Sequence, residues 1–125
     1  MDKVKDFYTG FEGNGEISFF CQTEDSQKYV VKIWEGYFYT IMTSMLNNLS
    51  LVNGEFTGIA YYYNRQTGWY DESPWLIENL GEAIYQFECV NDNDLDDTEK
   101  AVLESIVSML KFAYADGLKV FITYD

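Results

Sequence analysis

The chain has 125 residues and a net charge of −13, from 8 Lys and Arg against 21 Asp and Glu. That balance excludes direct nucleic-acid binding, whose affinity comes from neutralising phosphates, and it opposes contact with anionic membranes. The lack of any histidine removes Ser-His-Asp and Cys-His catalysis and the commonest metal ligand.

With 47% hydrophobic residues, including eleven Tyr, nine Phe and three Trp, the chain has material for one core, so a single domain over residues 1–125 is expected. There is no basic and apolar leader and no long apolar run. The expectation is therefore a cytoplasmic protein whose Cys21 and Cys89 serve as small buried hydrophobes.

Val4, Phe7, Tyr8 and Phe11 follow helical spacing, which predicts a helix at the N-terminus with Asp2 as its cap. Gly13-Asn14-Gly15 marks a turn, and Glu16 to Gln22 reads as a strand. The stripe Val30, Ile33, Trp34, Tyr37, Phe38, Ile41, Met42, Met45, Leu46 and Leu49 predicts a long helix from about Asp25 to Leu49, in which Gly36 is a weak point. A competing reading makes Lys28–Trp34 a strand hairpinned to the first, since Val30, Val31 and Ile33 favour strands.

Glu55 to Asn64 alternates and reads as a strand. Asn64 to Gly68 then forms a hairpin loop, with Gly68 free to take a positive φ, and Trp69-Tyr70 begins the returning strand. Ser73-Pro74 starts a helix with Leu76, Leu80, Ala83, Ile84 and Phe87 inward. Asp96 and Glu99 have capping-box spacing before a last helix through Tyr114, Gly117 is its C-cap, and Leu118–Tyr124 is a final strand. The sum is an α+β fold: a mostly antiparallel sheet of about four strands with three to four helices packed on it.

Chemical motifs are few. Asp92-Asn93-Asp94-Leu95-Asp96 opens like a calcium loop but has Asp97 where the turn glycine belongs and Leu103 where the bidentate glutamate belongs. An acidic loop feeding a helix N-terminus explains it better, and no metal or cofactor is expected. No nucleotide-binding or nucleophile-elbow motif is present.

The informative feature is charge distribution. From Gln66 to Glu99 there is no Lys or Arg, while ten acids fall there, including Asp71, Glu72, Glu78, Glu82, Asp92 and Asp94. One-signed surfaces steer encounter with a partner of opposite sign. Beside these acids stand Trp69, Tyr70 and Trp75, residue types that anchor interface centres. The alternative is that both tryptophans only cap the core.

A small, acidic, aromatic-rich chain containing Gly68-Trp69-Tyr70-Asp71-Glu72-Ser73-Pro74-Trp75-Leu76-Ile77-Glu78-Asn79 resembles bacterial immunity proteins of contact-dependent growth-inhibition and other polymorphic toxin systems. The resemblance implies a non-enzymatic inhibitor that binds one cognate basic toxin domain, such as a nuclease, and occludes its active site. The expected partner-binding residues are Trp69, Tyr70, Asp71, Glu72, Trp75, Glu78 and Glu82, with Tyr61 to Tyr63 as a fallback surface. Two other readings stand beside it: a non-catalytic adaptor or peptide-binding module, and a hydrolase working through a carboxylate pair.

Overall fold

Alternation decides the central strands. In Glu16–Gln22 (β2) and Lys28–Trp34 (β3), every second side chain is buried: Ile17, Phe19 and Cys21 on one, Tyr29, Val31 and Ile33 on the other. The two pair antiparallel, Phe19 opposite Val31. The computed structural model, which describes residues 3–25 and 27–125, extends this pair to a five-stranded sheet. Lys3–Phe7 (β1) adds parallel to β3, Val120–Tyr124 (β5) adds antiparallel to β2, and the two-residue Trp75–Leu76 (β4) closes the far edge in the order β1-β3-β2-β5-β4.

Four helices complete the chain: Glu35–Asn48 (α1), Gly58–Arg65 (α2), Leu80–Glu88 (α3) and Asp97–Asp116 (α4). They cover the face of the sheet carrying Ile17, Phe19 and Ile122, where Phe19 meets Phe38 of α1 at 6.1 Å and Phe87 of α3 at 5.9 Å between ring centroids. On the opposite face one apolar row crosses the whole sheet, Val4–Val30–Phe20–Phe121–Leu76. Phe20 and Phe121 stack there at 5.3 Å, a cross-strand pairing that helps fix the register.

The α+β class expected from sequence is therefore found, with five strands in place of about four. Of the strands expected, Glu16–Gln22 and the C-terminal one are found; β1, β3 and β4 complete the sheet, and β1 replaces the expected N-terminal helix. Val4 and Phe7 face opposite sides of β1, with Phe7 level with Ile33 of β3, so the expected N-terminal helix is a strand. Four apolar positions are too few to separate the two periods, and pairing with β3 decides the outcome. Asp2, its expected cap, lies outside the described residues.

The long helix from Asp25 to Leu49 is likewise divided. Residues 28–34 form β3 and only Glu35–Asn48 is helical, so the strand alternative resting on Val30, Val31 and Ile33 is the correct one. Gly36, a weak point for a helix, has a steric reason: a Cβ there would collide with the ring of Trp34, which stacks on Phe11 at 4.2 Å.

Residues 58–65 are helix, not strand. Ile59, Ala60 and Tyr63 are buried, a helical i, i+1, i+4 set that a short alternating tyrosine run conceals. Trp69-Tyr70 belongs to a 3-10 turn (Gly68–Tyr70) and not to a returning strand. Pro74 precedes β4; the helix starts later, at Leu80, where Asn79 caps the Glu82 amide at 2.9 Å.

The C-terminal third matches expectation closely. Asp96 and Glu99 form a reciprocal capping box, and Gly117 ends α4 at φ 67°. The acidic loop has structural duties: Asp94 accepts from Ser44 of α1 at 2.7 Å, and Asp96 is the cap itself. Cys21 is buried and Cys89 half-buried, both as free thiols.

After β1 the chain turns on Asp6, whose carboxylate accepts from the Tyr8 and Thr9 amides and the Thr9 hydroxyl. These bonds, the Thr9 hydroxyl foremost, lower its pKa from the ordinary 3.8 to about 2. A depressed folded-state pKa means that the turn's stabilisation is present above the unfolded value and is lost as pH falls through the folded one. An NMR pH titration should find the Asp6 carboxyl titrating near 2, with the Thr9 amide shifting in step. Ordinary carboxylate titration at Asp6 would contradict this bonding.

Candidate functional site

The chain from Thr57 to Gln86 encloses a groove between α2, β4 and the start of α3. It holds about 200 Å³ and is walled by Gly58, Ile59, Tyr62, Trp75, Ile77, Glu78, Asn79 and Glu82. Three of the residues singled out from sequence, Trp75, Glu78 and Glu82, therefore meet there. Tyr62, from the fallback surface, joins them, its ring 4.8 Å from that of Trp75. Gly58 and Asn79 were not anticipated; the Pro-Trp-Leu-Ile-Glu-Asn run hid an N-cap inside what looked like a helix.

The groove is fixed by polar ties across its base. Gln86 of α3 is buried, donates from Nε2 to the Thr57 carbonyl at 2.7 Å and accepts the Ala60 amide at 3.1 Å. These bonds satisfy backbone groups at the α2 N-terminus, where Thr57 makes no side-chain cap. Instead the Thr57 hydroxyl donates to Glu82 Oε2 at 3.0 Å. The other Glu82 oxygen lies against Gly58 where a Cβ would sit, and the left-handed φ of 58° at Gly58 favours glycine.

Gln86→Leu should orphan the buried Ala60 amide and lower the unfolding free energy by about 2 kcal/mol. Chemical denaturation measures it. A loss below about 0.5 kcal/mol would mean that these bonds do not hold the groove.

Behind the groove lies a cluster of aromatics. Trp69 is fully buried and packs edge-on against Trp75 at 5.3 Å and Phe38 at 6.1 Å. It has no surface to offer a partner and instead supports Trp75 from within. Among the described residues its Nε1 has no hydrogen-bond partner; the indole still draws the Tyr70 phenol downward, without meeting it in bonding geometry. Burial dominates and raises Tyr70, and it pushes Tyr63 up to about 12. Both phenols stay protonated at neutral pH. Tyr70 packs on Tyr124 at 5.0 Å, and the Tyr124 hydroxyl donates to Glu35 Oε2 at 3.3 Å.

Asp71 and Glu72 follow the 3-10 turn and are exposed, as is Glu78, while Glu82 and Trp75 are half-buried. Among the described residues the ion pair formed is Lys111 Nζ to Glu88 Oε2, 3.0 Å. Among the described residues, no cation pairs with Asp71, Glu72, Glu78 or Glu82, and of the four only Glu82 takes a side-chain hydrogen bond, from Thr57. Gly68, at φ 69°, brings its backbone close to Tyr62, so that a Cβ would lie 3.1 Å from the Tyr62 Cβ.

Comparisons with protein-family models, curated proteins and solved structures find no match for this chain.

Proposed function

We propose that this chain is an immunity-type inhibitor that binds a basic toxin domain, such as a nuclease effector, and neutralises it by occluding its active site. The observation that carries the reading is the set of unpaired carboxylates, Asp71, Glu72, Glu78 and Glu82, on one lysine-free stretch beside half-buried aromatic rings. Unpaired like charges oppose folding through self-repulsion. Asp94, Asp96 and Glu99 offset that cost by capping and bonding within the fold, whereas Asp71, Glu72 and Glu78 have no such internal role.

A nuclease channel must be basic to hold phosphates. Carboxylates set in the phosphate positions would block it, with Trp75 and Tyr70 as desolvated contacts and Trp69 as their internal support. No metal or cofactor enters this mechanism. The test is inhibition by the purified chain of a toxin domain encoded beside its gene, with formation of a stoichiometric complex. Undiminished toxin activity in excess chain would overturn the reading.

Two carboxylates in one groove is also what a hydrolase would need. Here Glu78 is exposed and Glu82 is held by the Thr57 hydroxyl, so the two are not arranged as a buried catalytic pair. The outer edge of β1 would suit an adaptor that adds a peptide strand, but Lys3 and Lys5 on that strand are the charges that keep a sheet edge from pairing.

A further inference from the structure

We propose that the groove between α2, β4 and α3 is a receptor for a single arginine side chain of the partner. This deepens, and rests on, the reading of the chain as a binder of a basic protein. The groove holds about 200 Å³, a size suited to one side chain and too small for a folded element. Tyr62 and Trp75 are half-buried, leaving part of each ring open to it. Ring faces attract cations placed within about 6 Å, and the planar guanidinium both stacks on them and bonds carboxylates through paired N–H groups.

Glu78 and Glu82 supply the carboxylates, and no Lys or Arg of this chain lines the groove. The larger cleft between α3 and α4 differs on this point. It is lined by Lys100 and Lys111, and Lys111 already neutralises Glu88. Of these two clefts, the groove at Tyr62, Trp75, Glu78 and Glu82 is therefore the one with charge complementarity for an external cation. The groove is also held ready: Gln86 and Thr57 fix its walls through bonds that exist without a partner, so little ordering cost remains for binding.

The test uses the full chain, isotope-labelled, titrated by NMR with a blocked Gly-Gly-Arg-Gly-Gly peptide and with the same peptide carrying lysine or the neutral isostere citrulline. The arginine peptide should shift the Trp75 indole N–H and the Gly58 and Asn79 amides. The lysine peptide should bind more weakly and the citrulline peptide should leave these signals unmoved. Glu78→Gln breaks no internal bond and should weaken arginine binding several-fold with an otherwise unchanged spectrum; adding Glu82→Gln should bring the loss to about tenfold or more.

Equal shifts from citrulline, lysine binding as tightly as arginine, or shifts confined to Asp92–Glu104 would each overturn the groove assignment. The two readings separate cleanly. Toxin inhibition undisturbed by Glu78→Gln/Glu82→Gln would sink the groove and leave the inhibitor. Arginine binding in the groove of a chain that inhibits no toxin would do the reverse.

Discussion

Trp69→Ala should destabilise the domain by about 3–5 kcal/mol, the range for removing a fully buried large aromatic. The residue is 0% exposed and contacts Phe38, Tyr70 and Trp75, so truncation opens a void under the groove as well as removing apolar burial. Two further variants isolate the cause. Trp69→Phe keeps most of the packing and discards an indole N–H that has no partner, so its cost should be well below that of alanine; buried donors are expensive to orphan and cheap to delete when already orphaned. Trp75→Ala removes a half-buried ring and should cost less in stability than Trp69→Ala while weakening the proposed partner contact. Urea or thermal unfolding measures all three. A Trp69→Ala variant within about 1 kcal/mol of the parent would place that ring outside the core.

Legibility from sequence followed the length and closure of each signal. The last helix was readable from end to end because three independent cues agree along it: the Asp96/Glu99 box, six buried apolar positions on one face and Gly117 at the end. Local and global preferences coincide there. The region before Trp34 was ambiguous because Val30, Ile33 and Trp34 continue the apolar stripe of α1 while lying on β3. The pairing of Val31 with Phe19 on β2 and of Ile33 with Phe7 on β1, contacts not encoded in the local pattern, separates strand from helix.

The tyrosine run at 61–63 failed for a related reason. Tyrosine favours strands through packing on a pleated surface, but Gln86, far along the chain, bonds the Ala60 amide and the Thr57 carbonyl at the start of a helix. The site was legible as composition and not as geometry. Trp75, Glu78 and Glu82 were visible as aromatic and acidic neighbours. That Tyr62 would face Trp75 depended on α2 being helical, and that Trp69 would turn inward depended on the 3-10 turn at Gly68.

Charge reversal at Asp71 and Glu72 should slow association with the basic toxin domain proposed above as partner by tens-fold or more at low salt, within the range attributed to electrostatic steering. Both side chains are exposed, and among the described residues neither is held by a cation of the chain. Asp71→Lys/Glu72→Lys should therefore leave the fold intact, which circular dichroism and the melting temperature verify. Steering acts over distances comparable to the screening length, about 8 Å at physiological ionic strength. The rate for the parent should fall steeply as salt rises, that of the double variant should be flatter, and the two should converge at high salt.

Dissociation rates separate this from direct contact. If Asp71 and Glu72 act only at a distance, dissociation changes little; if they pair with buried cations in the complex, dissociation quickens as well, because breaking a desolvated pair leaves a charge stranded. A parent association rate indifferent to salt, or unimpaired inhibition by the double variant, would remove these two acids from the partner surface. The unpaired charge at Glu78 and Glu82 would then be the remaining basis for recognition, and the arginine groove would have to carry it alone.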